Sequence, residues 1–249
     1  MSETTTHFGF EDIPLDKKQK RVNDVFRSVA SRYDLMNDVM SLGIHRAWKN
    51  AFVTALHVPK KHEFRHLDVA GGTGDIALRI LKSGGAETRV TLLDINPDML
   101  AEGKKRIPAA YRGQVDFVEG NAENLPFDAN SFDGYSIAFG IRNVPRIDKA
   151  LEEAYRVLKP GGRFLCLEFS RMDLPLLDKI YDFYSFQIIP AIGGCLVKDQ
   201  KSYQYLVESI RRFPDADTFE QMIRKAGFIK TTCKRYSGGI VAVHSGWKI

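Results

Sequence analysis

A strand that turns through glycines into a helix constrains this chain more than any other feature. The run Leu67-Asp68-Val69-Ala70-Gly71-Gly72-Thr73-Gly74-Asp75 follows an apolar stretch, Phe64 to Ala70, and opens into Ile76-Ala77-Leu78-Arg79-Ile80-Leu81, which has helical spacing. Glycines let backbone approach a ligand closely, and the helix N-terminus presents N–H groups with no intrahelical partner. Such a turn is a nucleotide-binding device, and the aspartates at its two ends bear on which nucleotide.

Two ligands fit the loop. Gly72-Thr73-Gly74-Asp75-Ile76-Ala77 matches the G-x-G-x-x-G/A dinucleotide fingerprint, and Asp94 lies 20 residues beyond Gly74, where a ribose-binding acid belongs. An NAD enzyme would satisfy both. A carboxylate beside the loop, however, raises the cost of placing a pyrophosphate there. S-adenosylmethionine has no phosphate; it carries a sulfonium and an α-ammonium. Asp68 and Asp75 suit that cationic end, while Asp94 accepts from the ribose hydroxyls. Asp75 also suits the first turn of its helix on cap and dipole grounds, whereas Asp68, inside an apolar run, has less structural excuse. The charges favour S-adenosylmethionine.

Downstream, strands and helices alternate: strand 64–70, helix 75–82, strand 89–94, a helix from Pro97, strands 115–119 and 132–138, helix 148–158 and strand 163–169. Asn96-Pro97 supplies a cap residue and a proline at the first helical position. Alternation of this kind implies an α/β fold with a mostly parallel sheet. Ligands bind outside the carboxyl ends of such strands, where Gly74, Asp94, Asn121 and Gly140 fall. Residues 1–15 read as loosely ordered, and Lys17 to about Leu56 as helical. Pro59-Lys60-Lys61 marks a boundary. Residues 228–235 and 240–247 read as an antiparallel hairpin across Ser237-Gly238-Gly239. A parallel sheet finished this way is expected of class I methyltransferases, with a Rossmann-like, seven-stranded core. The chain is thus expected to be a single domain over 1–249, with an N-terminal helical cap (1–60), a core (61–249) and a lid insertion near 171–200.

Other classes are disfavoured. Three scattered cysteines and six histidines form no disulfide framework, zinc pattern or other metal site, and fit a reducing cytoplasm. The net charge of +5 is dispersed, which argues against nucleic acid. Lys17-Lys18-x-Lys20-Arg21 reads first as a solvated helix start and second as a contact for an anionic membrane face. No signal peptide is visible. The most apolar long stretch, Leu174 to Val197, is interrupted by Asp178, Lys179, Asp182 and Pro190, so no membrane span is expected.

Two longer strings narrow the family: Tyr33-Asp34-Leu35-Met36-Asn37-Asp38-Val39-Met40-Ser41-Leu42-Gly43-Ile44-His45-Arg46-Ala47-Trp48, and Arg156-Val157-Leu158-Lys159-Pro160-Gly161-Gly162-Arg163-Phe164-Leu165-Cys166-Leu167-Glu168-Phe169-Ser170. Together with Gly120-Asn121-Ala122-Glu123-Asn124-Leu125-Pro126-Phe127 and Phe139-Gly140-Ile141-Arg142-Asn143-Val144, they closely resemble the ubiquinone/menaquinone biosynthesis C-methyltransferase family. The resemblance runs from about Val22 to the C-terminus. The glycine loop and the Lys-Pro-Gly-Gly turn are shared by many methyltransferases. The Tyr-Asp-x-Met-Asn…His-x-x-Trp string and Gly-Ile-Arg-Asn are more specific.

The resemblance implies S-adenosylmethionine-dependent methylation of a ring carbon of a polyprenylated benzoquinol or naphthoquinol. Thr73, Asp94, Asn121 and Ala122 match cofactor-contacting positions, beside Asp68, Gly72 and Gly74 of the loop. A serine of the family is here Ala138, which removes any hydroxyl contact. A developing phenolate needs stabilising, and arginine is no ordinary base; Arg142, with Asn143 beside it, is assigned as an electrostatic partner of the phenolate or an orienter of a water. The alternative for Arg142 is a salt bridge to a nearby acid. Trp48 and Met36 read as core, and Asn37 and His45 as weak site candidates. The apolar run from Leu174 to Pro190 reads either as a lid over a lipid substrate or as a core helix. The expected partners are a lipophilic quinol, a peripheral contact on the inner membrane face from a cytoplasmic location, and a quinone-biosynthesis enzyme complex.

Overall fold

The structure is a computed structural model and describes residues 5–29, 38, 41, 43–170 and 200–249. The expected lid falls almost wholly outside the described residues, as do Met36 and Asn37.

The chain begins with a hairpin. β1 (Thr5–Phe8) and β2 (Glu11–Pro14) pair antiparallel ahead of α1 (Leu15–Val29) and α2 (His45–Leu56). The expectation of a loose N-terminus is therefore corrected for residues 5–15: Phe8 stacks on Tyr205 with ring centroids 4.1 Å apart, and that distant contact orders a segment with weak local propensity. Then β3 (Phe64–Val69), α3 (Asp75–Ser83), β4 (Thr88–Asp94), α4 (Pro97–Arg106), β5 (Val115–Glu119), β6 (Phe132–Ala138), α5 (Ile147–Val157) and β7 (Leu158–Phe169) follow. The α4 start is as its sequence predicts, with the Asn96 side chain accepting from the amides of Asp98 and Met99. α6 (Gln200–Arg212), α7 (Ala216–Lys225), β8 (Ile229–Tyr236) and β9 (Val241–Trp247) complete the chain.

One seven-stranded sheet has the order β5-β4-β3-β6-β7-β9-β8. β3 to β7 run parallel; β9 is antiparallel to both β7 and β8, and so lies between them. Strand alternation sends side chains to two cores. On one face Leu92, Leu165 and Val243 pack with Trp48 and Phe52 of α2, Ile76 and Ile80 of α3, and Leu206 and Ile210 of α6. On the other, Leu67, Ile137 and Phe164 pack with Leu151 and Ala154 of α5 and Phe219 and Ile223 of α7. Each fully buried large aliphatic side chain contributes about 1.5–3 kcal/mol.

From β3 the chain winds outward to β4 and β5, then returns to the other side of β3 as β6 and β7. The order therefore reverses between β3 and β6. A crevice opens at such a switch point, beyond the carboxyl ends of the strands.

Candidate functional site

The crevice is shaped first by backbone. Gly74, at φ +78°, caps the N-terminus of α3 in the left-handed region that glycine enters without strain. Ala70 and Phe139, which follow β3 and β6, have φ of 51° and 56°. Residues other than glycine held there carry about 1–3 kcal/mol of strain, and such positions cluster at functional sites. Gly140 is required by close approach: a Cβ there would lie 2.5 Å from that of Ala70. The two strand ends thus abut and wall a cleft of about 970 Å³, counting its open mouth.

Asp68 sits at the cleft floor, 1% exposed. Its Oδ1 accepts from the Ser136 hydroxyl at 2.6 Å, and Oδ2 has no hydrogen-bond partner among the described residues. His66 Nε2 lies 2.8 Å from the same serine oxygen. Because Ser136 gives its one proton to Asp68, His66 is the donor of that second bond. Burial holds His66 down to about 3, so it is neutral. Burial also pushes Asp68 up to about 7, against the hydrogen bonds of the Ser136 hydroxyl and the Ala77 amide and with added repulsion from Asp94 and Asp75. A buried carboxylate with an unpartnered oxygen is an unfinished site, completed by a cation.

Asp94 ends β4. Its Oδ2 accepts from the Gly72 amide and its Oδ1 from the Asn96 amide, both at 2.9 Å, so the carboxylate is fixed in place while each oxygen keeps a further lone pair. Burial raises it to about 6, with those amides opposing. Asn121 closes a turn by accepting the Glu123 amide on Oδ1 at 2.9 Å, and it lines the cleft with Ala122.

Asp75 behaves differently from the sequence reading. Its two oxygens are taken by Lys49 Nζ at 2.8 Å and Arg79 Nε at 2.9 Å. Burial acts to raise this acid, but Lys49 and Arg79 outweigh it and hold it below the usual range. Its charge is compensated within the protein, which leaves Asp68 to meet a ligand cation. The α3 cap, moreover, has no side-chain hydrogen bond.

The cleft brings together Asp68, Gly72, Thr73, Asp94, Asn121, Ala122 and Asn143, all expected from sequence, with Ala138 in its wall. Gly74 and Arg142 are not among the lining residues. For Gly74 the reason is its packing toward Leu92 and Ile107, where it serves the turn. For Arg142 it is a buried ion pair: Nη1 reaches Glu168 Oε1 at 2.7 Å and the Phe139 carbonyl at 2.6 Å, while Nε reaches Ser209 at 3.3 Å. Arg142 and Glu168 are 4% and 1% exposed. Arg142 thus forms the salt bridge that is the alternative reading of its sequence, and it does not line the cleft. Asn143, by contrast, lines it and receives the Tyr205 hydroxyl on Oδ1 at 2.8 Å.

Sequence reading missed Gln19, Val22 and Asn23 of α1, which also line the cleft. Nothing local marks them; only the packing of α1 over the strand ends brings them there. Trp48 is core, its indole donating to Ser237 at 2.9 Å, and His45 is buried against Asp38 at 2.8 Å.

The donor set fits S-adenosylmethionine on its own chemistry. Asp68 offers an uncompensated carboxylate to a cation, Asp94 a fixed acceptor pair to a ribose, and Met99 and Leu93 apolar surface to a base. Among the described residues that line the cleft, Lys49 is the one lysine or arginine, and it is bound to Asp75.

A model of the ubiE/COQ5 methyltransferase family matches residues 15–248. The chain is 63% identical over 247 residues to a protein of Methylobacterium nodulans named ubiquinone/menaquinone biosynthesis C-methyltransferase UbiE, covering 99% of this chain and 98% of that one. A protein of the same name from Nitrobacter hamburgensis is 62% identical, with 98% of each covered. Among solved structures, a Thermotoga maritima S-adenosylmethionine-dependent methyltransferase, described as a possible histamine N-methyltransferase, aligns with a TM-score of 0.63 at 23% identity over 91% of this chain and 99% of that one. Phosphoethanolamine N-methyltransferase 2 of Haemonchus contortus, solved with S-adenosyl-L-methionine, aligns at 0.59 and 18% identity over 81% and 52%. These structures share the fold.

Proposed function

Because the chain belongs to the ubiE/COQ5 methyltransferase family, we propose that its cleft divides into a cofactor half around Asp68 and Asp94 and an acceptor half around Asn143. The enzyme is an S-adenosylmethionine-dependent C-methyltransferase of ubiquinone/menaquinone biosynthesis. S-adenosylmethionine supplies an electrophilic methyl group when bound. Asp68 pairs with its cationic end, Asp94 with its ribose hydroxyls, and Thr73, Gly72, Asn121 and Ala122 complete the contact.

The acceptor is a ring carbon beside a hydroxyl of a lipophilic quinol. That carbon becomes nucleophilic as the hydroxyl proton departs and charge spreads into the ring. Overall a C–H bond is replaced by C–CH3, the donor's C–S bond breaks, and one proton is released. Asn143 donates to the phenolate oxygen, and Arg142, through Glu168, holds the loop that carries Asn143. Positioning supplies much of the acceleration. The reading rests above all on one observation: Asn143, the residue after the buried Arg142–Glu168 pair, lines the same cleft as Asp68 and Asp94.

A lipid substrate also implies peripheral contact with the inner membrane face, with the apolar run Leu174 to Pro190 as its cover, and docking to other quinone-biosynthesis enzymes. No helix of the described residues is long and apolar enough to cross a membrane. The decisive experiment is mass spectrometry of quinones in a strain lacking the protein. Accumulation of a demethyl quinone is expected, and its identity selects benzoquinol or naphthoquinol; an unchanged pool defeats the assignment.

A further inference from the structure

We infer that Tyr205 is a positioning residue that fixes which end of the Asn143 amide meets the substrate: its hydroxyl holds Oδ1, so Nδ2 is presented to the ring oxygen. The inference deepens the reading of Asn143 above and rests on it.

The geometry is specific. Tyr205 and Ser209 stand one turn apart on α6, hence on one face of it. They grip consecutive residues of the β6 loop: Tyr205 donates to Asn143 Oδ1 at 2.8 Å, and Ser209 lies 3.3 Å from Arg142 Nε. Tyr205 is 4% exposed and Asn143 7%. Phe8 of the N-terminal hairpin lies on the tyrosine ring, nearly parallel at 19°. The phenol therefore has little freedom to leave its partner.

Direction follows from donor chemistry. An amide has one accepting end and one donating end, held opposite each other in a plane. Burial raises the Tyr205 hydroxyl above its ordinary range, so it stays protonated and donates. With Oδ1 occupied, Nδ2 is the remaining end, and no described residue takes it. The reversed amide would leave the phenol proton without this acceptor and aim a carbonyl oxygen at a developing phenolate. Two like partial charges would then meet where charge grows during the reaction. A preorganised donor at that point lowers the barrier, and removing one such donor elsewhere costs roughly 10²–10³ in kcat.

The test compares Tyr205→Phe and Asn143→Ala in the full chain. Reduced short-tail demethylmenaquinone serves as acceptor under anaerobic conditions, from pH 6 to 9.5. Tyr205→Phe keeps the ring and its stack on Phe8. Because the donor is freed rather than deleted, kcat should fall about tenfold at pH 7, below the full loss of an oxyanion donor. The S-adenosylmethionine Kd should stay within about twofold by the same reasoning, since the cofactor half is untouched. The deficit should shrink as pH rises, because the ring hydroxyl then ionises without help. A purely structural role predicts a deficit constant with pH, accompanied by weaker cofactor binding; that result, or an unchanged kcat, overturns the inference. The two readings separate cleanly. Full activity in Asn143→Ala removes the role of Asn143 itself. A slow Asn143→Ala beside a fully active Tyr205→Phe leaves Asn143 in place and removes only its orientation by Tyr205.

Discussion

Burial raises the Asp68 pKa to about 7, so rising pH favours its charged form. A bound cation favours the charged form, so cofactor affinity should be full above about pH 7 and decline as pH falls through that value, by up to about tenfold per unit. Asp94, at about 6, adds to the decline lower down, whereas Asp75 is held ionised by Lys49 and Arg79. Calorimetric titration of S-adenosylmethionine from pH 5.5 to 8.5 measures this. Asp68→Asn should bind weakly with most of the pH dependence gone, and an unaltered profile in that variant would remove Asp68 from the role. Arg142 makes a different prediction. Its loss strands Glu168, whose pKa burial already raises against the pull of Arg142, as an unpaired buried acid. Arg142→Ala should therefore destabilise by about 3–5 kcal/mol, read from urea midpoints, and Arg142→Met with Glu168→Leu should recover much of it. The sequence made the Asp68 and Asp94 sites legible because charge within an apolar strand is conspicuous. It left Arg142 ambiguous because its partner lies 26 residues away on a neighbouring strand.

Among the elements, the β1–β2 hairpin and α1 stand out because they come from before the sheet yet reach its cleft. Gln19, Val22 and Asn23 of α1 line it, and the hairpin is tied to α6 by the Phe8–Tyr205 stack, the Phe10 amide on Glu208 and Arg212 beside Asp12. Deleting residues 1–14 should speed S-adenosylmethionine dissociation severalfold in stopped-flow fluorescence while the far-ultraviolet dichroism of the core persists. An unchanged off-rate would show that the hairpin does not hold α1 over the site. Most of the parallel units were legible closely: β5 and β6 have the bounds their patterns predict, and β3, α3 and β4 differ by a residue at one end. α5 differs by a residue at each end, while β7 begins five residues before the expected 163. Each carries its own periodicity and turn signals. The hairpin did not, since two four-residue strands owe their order to rings and charges about 200 positions away. α6 and α7 were not foreseen either. The start and end of α7 were nonetheless marked, by Asp215 at its cap and by Gly227 just after it.

Across the whole molecule, a net charge of +5 and a lipophilic substrate suggest a reversible association with anionic bilayers. The protein should co-sediment with anionic vesicles less at high salt, and less again when Ile180, Phe183, Phe186 and Ile189 are replaced by serine. Equal sedimentation of that variant would count against the apolar run as a membrane contact. The placement of β9 has a consequence of another kind, in time rather than space. This strand lies between β7 and β8, its residues almost all buried, yet it follows both of them in the chain. Until β9 is made, β7 keeps an open flank and β8 has no neighbour to join. Unpaired strand edges invite pairing with other chains. Completion of the sheet must therefore wait until β9 has cleared the ribosomal exit tunnel. Nascent chains arrested directly after Trp247 should be cut readily by protease, whereas chains arrested once β9 lies well outside the tunnel should resist it.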